Sequence, residues 1–397
     1  MQFAAPERHG ANLCESRPTA IRSDPAAPQM MRILILGGSG VFGRRLAAIL
    51  SRDARFELIV AGRDGERAQQ AASDLPGPAA KRGAAVSIDT IDAALTQMAP
   101  DVVIHCAGPF QGQDYTVAKA AIAAGVHYLD LSDGRAFSEG FTALNDAARK
   151  AGVFALTACS TTTALSTAAA KNLGVGLARV DRIRVGVTPG NRAPRGRAVV
   201  AAILSYVGEP VSVLRNGAVA ETTGWGRLRR ETLPGLKPRW FSPCDAPDIA
   251  AMRALFQDSC EIEFEAGLEL SILHLPLWAL AQLRRRRLIG NLAAAAGLFH
   301  RAASWFEPFG GDEGGMFVEL EGADAAGKAR TRRWSLWAGA GDGPNIPAMA
   351  ATAVVKMAAD GEAPAPGARM VVGDIALAAF EREFSAFDIR TVIEERP

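Results

Sequence analysis

A glycine-rich segment near the start of the chain has the composition and spacing of a phosphate-binding loop. The segment Gly37–Gly43 satisfies both GxGxxG and GxxGxxG, between a short apolar run and a helical pattern. Glycine permits the tight turn after a strand and lets the backbone approach a pyrophosphate, and a helix N-terminus offers free N–H groups to the anion. The alternative is that these glycines serve only close helix–strand packing. The predicted cofactor-binding residues of the loop are Gly37, Gly38, Ser39, Gly40, Val41, Phe42 and Gly43.

Two residues after the second apolar run are expected to select the nucleotide. An acidic residue at this place would accept hydrogen bonds from the ribose 2′-OH of NAD. The chain instead has Arg63, whose guanidinium suits the 2′-phosphate of NADP, followed directly by Asp64. We therefore predict NADP as the cofactor. NAD is the alternative, served by Asp64 if Arg63 points away.

Alternating strands and helices position these residues. The apolar patterns predict strands at Arg32–Leu36, Phe56–Ala61, Ala84–Ile88, Asp101–Cys106, His127–Leu131 and Val153–Ala158, with helices at Val41–Arg52, Glu66–Asp74, Ile91–Met98, Tyr115–Ala124 and Phe137–Ala151. Such alternation implies βαβ units around a parallel sheet. We predict the α/β class, with a Rossmann-type NADP-binding domain at residues 30–170 after a flexible N-terminal tail at residues 1–29.

Beyond about residue 175 the pattern changes to strand-like segments separated by turns. The expected strands are Arg182–Val187, Val211–Thr222, Cys260–Glu265, Met316–Glu321 and Thr331–Ala338, the last two as an antiparallel hairpin. We predict a second, α+β domain at residues 171–345 for substrate binding and dimerisation. Residues 346–397 are expected to be a helical and strand segment that packs back on the core.

Two further motifs give the chain a resemblance to a known family. Cys106–Gly112 reads CAGPFQG and Ala124–Asp130 reads AGVHYLD. Together with the glycine loop and Arg63, they make residues 32–165 similar to the saccharopine dehydrogenase NADP-binding domain family. The resemblance implies an NADP-dependent oxidoreductase that transfers a hydride to or from a small C=N, C=O or C=C substrate. A non-catalytic nucleotide-binding or membrane-peripheral scaffold that keeps the Rossmann fold is the alternative.

The turn after the fourth strand is expected to contact the nicotinamide half of the cofactor. It lies at the carboxyl edge of the sheet, where open α/β folds bind ligands. The predicted contacts are Ala107, Gly108, Pro109 and Phe110, with the Phe110 ring over a ring face. Asp89, after the third strand, could contact the adenine edge or be a surface acid.

No residue stands out as the catalytic acid or base. His127, Tyr128, Asp130 and Asp133 lie in or just after the fifth strand, and any of them could relay a proton. Structural hydrogen bonding explains His127 and Asp130 equally well. The hydroxyl-rich segment 160–166 after the sixth strand could bind a polar substrate or cap the following helix.

Composition limits the other classes of function. With 397 residues the chain is long enough for two domains, and its net charge of +2 gives no electrostatic case for nucleic acid. Its five cysteines are widely spaced and form no CxxC, which favours reduced thiols, a cytoplasmic location and no metal site. We expect a homodimer that binds a small-molecule substrate.

One segment suggests a second kind of partner. Residues 271–306 carry Arg284–Arg287 and Arg301 without an acidic residue, among aromatic and apolar side chains that include Trp278. An interfacial helix on anionic lipid uses this combination, so peripheral membrane contact is one hypothesis. The alternatives are a helix pair with a solvated arginine face and a dimer surface.

Overall fold

The computed structural model describes residues 30–194 and 197–396, and the described ranges are built around two β-sheets. The elements up to residue 173 are β1 (Met31–Leu36), α1 (Val41–Leu50), β2 (Phe56–Gly62), α2 (Gly65–Ser73), β3 (Ala80–Ala85), α3 (Ile91–Met98), β4 (Val102–His105), α4 (Thr116–Ala123), β5 (His127–Asp130), α5 (Arg135–Gly140), α6 (Asn145–Ala151), β6 (Phe154–Thr157) and α7 (Ala164–Leu173). The following elements are β7 (Leu177–Thr188), α8 (Arg197–Tyr206), β8 (Pro210–Arg215), β9 (Ala218–Thr223), β10 (Arg229–Glu231), β11 (Arg239–Pro243), α9 (Asp248–Leu255), β12 (Glu261–Leu268), α10 (Ser271–Arg285), α11 (Ala296–Ser304), β13 (Gly314–Asp324), β14 (Ala329–Ala338), α12 (Ile346–Ala359), β15 (Gly367–Met370), α13 (Leu377–Phe384) and β16 (Ile389–Arg396). Short 3-10 turns occupy Ile88–Thr90, Phe141–Leu144, Ala293–Ala295, Glu307–Phe309 and Gly343–Asn345.

The first sheet is parallel throughout, in the order β15-β6-β5-β4-β1-β2-β3. Ile33, Leu34 and Ile35 in β1 are fully buried, because helices cover both faces of the sheet. The predicted Rossmann-type fold is confirmed. The predicted third strand was wrong by several residues, since β3 is Ala80–Ala85. Its polar side chains are tolerated because β3 lies at the sheet edge and pairs only with β2.

The second sheet is mixed, and the predicted α+β character of this region is confirmed. Its main order is β10-β11-β12-β7-β13-β14-β16, with the hairpin β8–β9 attached to β12. The predicted hairpin of β13 and β14 is present. The single strand expected at Val211–Thr222 is instead two antiparallel strands, β8 and β9. Between them Asn216 and Gly217 both have positive φ, 50° and 74°, and Asn-Gly is the preferred two-residue hairpin turn.

The two sheets share one hydrophobic core, which fixes their relative position. Residues of the second sheet such as Val185, Phe264 and Met316 lie in the same buried cluster as residues of α7 and α12. The C-terminal segment contributes to both sheets, because β15 pairs with β6 and β16 pairs with β14. The domain boundaries given above remain predictions.

Candidate nucleotide and substrate site

The glycine loop joins β1 to α1, and each of its glycines has a different role. Gly37 has a φ of 80°, and a Cβ there would lie 2.8 Å from the backbone nitrogen of Ala107. A Cβ on Gly43 would lie 2.3 Å from the Gly37 oxygen, so this glycine lets α1 approach the turn. A Cβ on Gly40 would meet the Gly37 oxygen at 3.0 Å and otherwise project into open space. That space lies in front of the first amides of α1, where a helix N-terminus offers N–H groups to an anion.

The loop lies where the sheet order reverses direction. β1 stands between β4 and β2, so the connections from β1 and β4 leave the carboxyl edge toward different sides. The crevice formed at such a point is the general ligand site of open α/β sheets. The close approach of Gly37 to Ala107 brings the two predicted cofactor-binding turns together.

The end of β2 distinguishes the two residues proposed to select the nucleotide. Asp64 is the N-cap of α2, and its Oδ1 accepts the amide hydrogen of Arg67 at 3.0 Å. Arg63 is exposed and makes no hydrogen bond or ion pair with the described residues. The carboxylate is therefore engaged in capping, whereas the guanidinium is available to a phosphate.

The remaining predicted cofactor contacts, Asp89 and Ala107–Phe110, differ in position and exposure. Asp89 is exposed in the 3-10 turn after β3. Ala107, Gly108 and Pro109 follow β4 at the carboxyl edge, as expected. Phe110 is only 4% exposed, and its ring packs edge-on against His105 and Phe137 at centroid distances of 5.0 and 5.3 Å. This packing leaves little of the Phe110 ring exposed, and its contact with the nicotinamide stays a prediction.

The three proton-carrier candidates of β5 are largely enclosed. His127 is the first residue of β5, at the amino end of the strand, where its ring stacks on Phe154 at 4.0 Å. Tyr128 is fully buried, and its hydroxyl lies 3.3 Å from Nδ1 of His105. Neither residue reaches the crevice. The structure does not bring these side chains together at the nucleotide edge.

Asp130 ends β5 and organises the loop after β6. Its Oδ1 accepts hydrogen bonds from the amides of Ser132 and Ala158 and from the Thr157 hydroxyl, at 2.9–3.0 Å. Burial raises the pKa of this carboxyl to about 6, although these hydrogen bonds oppose the shift. The contacts point to a role in positioning the backbone.

The hydroxyl-rich segment after β6 does not cap α7 by its side chains. The residue before the helix, Thr163, has a φ of 73° and makes no side-chain capping bond. The Ser166 hydroxyl donates to Oδ1 of the buried Asp248 at 2.5 Å and lies 3.3 Å from the Thr163 carbonyl oxygen. Thr162 instead borders a cleft, so the capping interpretation was wrong for this segment.

That cleft lies between the carboxyl edge of the first sheet and the second sheet, with a volume of about 180 Å³. Its described polar lining comes from both sides: Gln111, Asp133, Thr162, Tyr206 and Asp245. The rest is mainly apolar, including Trp225, Phe264 and Leu268. A concave, mostly apolar site with a few polar groups is the usual form of a small-molecule site.

Contacts across the cleft hold its polar groups in place. Nε of Arg135, at the start of α5, pairs with Oδ1 of Asp245 at 2.8 Å, linking the two sheets. Gln111 Nε2 donates to Oδ1 of Asp133 at 3.2 Å. The surrounding protein raises the pKa of Asp133, although its side chain still meets the solvent of the cleft.

Tyr206 brings a phenol hydroxyl to the cleft. Burial, followed by the nearby Asp245 carboxylate, raises the pKa of this phenol to about 12. It is therefore protonated at neutral pH and can donate to an oxygen or nitrogen of a ligand. Sequence reasoning missed Tyr206 and Asp245, which lie in no motif. Gln111 belongs to the CAGPFQG motif, which was a signal for it.

The fold combines a Rossmann-like parallel sheet, with a glycine loop at its carboxyl edge, and a second, mixed sheet. Residues 33–156 match the family model of the saccharopine dehydrogenase NADP binding domain. This part of the chain is therefore similar to the nucleotide-binding domain of that family. No curated protein matches the chain in sequence.

Solved structures show the same fold over nearly the whole chain. Saccharopine dehydrogenase (L-Glu forming) from Saccharomyces cerevisiae matches with 14% identity and a TM-score of 0.65, over 92% of this chain and 100% of that one. Homospermidine synthase from Legionella pneumophila, solved in complex with NAD, matches with 11% identity and a TM-score of 0.59, over 92% and 91% of the two chains. At these identities the likeness concerns the fold.

Proposed function

We propose that the protein is an NADP-dependent oxidoreductase that transfers a hydride to or from a small C=N, C=O or C=C substrate bound in the cleft. The carrying observation is the pairing of an open glycine loop with an available Arg63, beside a cleft at the same sheet edge. The dinucleotide supplies the hydride chemistry when bound. The chain's own residues bind and orient the dinucleotide and the substrate, and they exclude water from the cleft.

The glycine loop and the residues after β2 support the assignment of NADP as the cofactor. Phosphate oxygens would meet the first amides of α1 over Gly40. The 2′-phosphate would meet Arg63, because Asp64 is committed to the Arg67 amide. This arrangement favours NADP over NAD, although the solved homospermidine synthase binds NAD.

The substrate assignment is supported by the cleft chemistry. The volume of about 180 Å³ suits a small molecule. Tyr206 would donate a proton to the substrate atom that gains negative charge, and the Gln111–Asp133 pair would orient a polar group of the substrate. Apolar walls such as Trp225 and Phe264 would exclude water.

A binding titration and a turnover assay test the proposal together. The purified chain should quench or enhance NADPH fluorescence with a lower Kd than for NADH. It should also oxidise NADPH with at least one member of a panel of imines, keto acids and enoyl esters. Tyr206→Phe should lower kcat with little change in NADPH affinity, whereas Tyr115→Phe serves as a control because the Tyr115 hydroxyl donates to the Phe137 carbonyl.

The alternative, a non-catalytic nucleotide-binding protein, predicts different results. A scaffold or redox sensor that keeps the fold would bind NADPH but turn over none of the panel. Equal affinity for NADPH and NADH would contradict the cofactor assignment. An unchanged kcat in Tyr206→Phe would remove that residue from the reaction.

A further inference from the structure

Helix α10 turns an apolar stripe toward solvent. The stripe consists of Ile272, Leu275, Ala279 and Leu283, at helical spacing, and its three large side chains are 60, 37 and 38% exposed. The opposite face carries His274, Leu277, Ala281 and Arg284, all buried. Since the buried face already packs on the second sheet, the outer stripe has no partner among the described residues.

The neighbouring elements extend this surface. α8, α10 and α11 share a small core that contains Leu204, Leu277 and Ala296, so they form one layer on the second sheet. Around that layer the large exposed apolar side chains are Leu288, Leu298, Trp305 and Phe309, between 66 and 77% exposed. We call these side chains and the stripe of α10 the α10–α11 surface.

Within residues 271–306 the charge of this surface is of one sign, and the exposed Glu307 lies at its margin beside Phe309. Arg285, Arg286, Arg287 and Arg301 are exposed, and residues 271–306 contain no acidic residue. Arg284 is different, because it points inward, pairs with Glu209 at 2.6 Å and donates to the carbonyls of α8. Arg284 therefore does not contribute its charge to the outer surface.

We propose that the α10–α11 surface binds the headgroup region of an anionic lipid bilayer. Exposed apolar and aromatic side chains beside arginines match what an interfacial helix buries and what anionic headgroups attract. A symmetric dimer through this patch would bring the arginines of both copies into one interface. The α10–α11 surface has the charge complementary to lipid rather than to itself.

The described part of the chain has no helix long and apolar enough to cross a membrane. Binding by this surface would therefore be peripheral, with α10 in the plane of the headgroups. The layer packs on the second sheet and not on the glycine loop, and its helix α8 also lines the cleft through Tyr206.

Cosedimentation of the full chain with vesicles tests the proposal. The protein should pellet with vesicles of phosphatidylcholine mixed with phosphatidylserine, and not with phosphatidylcholine alone. High salt should release it, because the Debye length is only ~10 Å at 0.1 M and shortens further. Binding to both vesicle types without salt dependence would overturn the proposal.

A matched pair of charge variants sharpens the test. Arg285→Gln, Arg286→Gln and Arg287→Gln together should lower the partition coefficient ~100-fold, at ~1 kcal/mol per arginine. The control replaces three exposed cationic residues elsewhere, Arg149, Lys150 and Arg253, with glutamine. It should bind vesicles like the wild type. NADPH affinity should be equal in all three proteins, which shows that the variants are folded.

An apolar pair tests insertion. Trp305→Ser should weaken vesicle binding about tenfold, whereas Val175→Ser, at a residue 72% exposed, should not. Absence of vesicle binding by the wild type at low salt would overturn the proposal. If the wild type then also formed a concentration-dependent dimer that Trp305→Ser abolished, the surface would belong to a second copy.

Discussion

The arginines at the carboxyl edge of the first sheet and on the outer face of the second sheet differ in whether the protein pairs them. At the first, Arg63 is exposed without a partner among residues 30–194 and 197–396, beside a glycine loop that leaves backbone amides open. At the second, Arg184 is 5% exposed and its guanidinium contacts Glu231, Glu265 and Glu319 at 2.5–2.9 Å. An arginine with protein partners serves the fold, whereas one without them is available to a ligand.

The charged side chains on this face of the second sheet pair with one another. Arg333 also contacts Glu231 and Glu319, and both arginines lie over the ring of Phe317. Buried charges are tolerated there because each has an opposite charge and an aromatic face. This face therefore offers little to a ligand, although it is rich in the residue types that bind ligands.

The largest effect is expected on stability, from breaking the network of ion pairs around Arg184. Arg184→Leu removes the shortest of the arginine contacts of buried Glu265 and a partner of Glu231 and Glu319, which should lower the free energy of unfolding by about 3 kcal/mol. Urea unfolding measures this, with Arg63→Leu as the exposed control that should change stability little. A loss in Arg184→Leu no greater than in the control would show that the network is not structural.

The next effect is expected at the open loop, on binding rather than on stability. Gly40→Val should weaken both NADPH and NADH at least ~100-fold, because the branched side chain would occupy the space over the first amides of α1. The φ of Gly40 is −79°, which valine adopts, so the variant should fold. Gly40→Ala should give a smaller loss. Unchanged affinity in a folded valine variant would make the loop purely structural.

A buried carboxyl of the first sheet should make stability depend on pH. Burial raises the pKa of Asp130 to about 6, so the folded state holds a proton that the unfolded state has lost between about pH 4 and pH 6. Stability should fall as pH rises through this window and the cost should persist above it. Asp130→Asn should remove ~2–3 kcal/mol of that fall.

Unfolding by urea at both ends of the window measures the difference. The exposed Asp146→Asn is the control, and it should follow the wild type. Asp248, whose pKa burial also raises to about 6, should keep part of the slope in the Asp130 variant. An Asp130→Asn protein with the full wild-type slope would contradict the assignment.

The smallest effect is expected for cofactor choice. Arg63→Ala should weaken NADPH by ~1–3 kcal/mol, the range for a charge-assisted hydrogen bond, and leave NADH unchanged. Arg67→Ala is a nearby control, because the Arg67 backbone amide and not its side chain bonds to Asp64. Fluorescence titration measures both. A parallel loss of NADPH and NADH affinity would show that Arg63 does not contact the 2′-phosphate.

The first sheet was predicted well because its signals are local. A parallel strand buried on both faces needs an unbroken apolar run, and a nucleotide loop needs glycines at fixed spacing, so β1, β2 and the loop between them are legible in the sequence. β3 was misplaced because an edge strand needs fewer apolar residues. The Asn216–Gly217 turn was also a local signal, and it was overlooked.

The sequence by itself determined the nucleotide loop, the alternating elements and the end of β2. Only the tertiary structure decided the cleft, because Gln111, Tyr206 and Asp245 are far apart in the chain and meet through packing of the two sheets. The same holds for the arginine run after α10. The helical turn directs Arg284 inward to Glu209 and leaves Arg285–Arg287 outside, and composition cannot distinguish neighbours that face opposite sides.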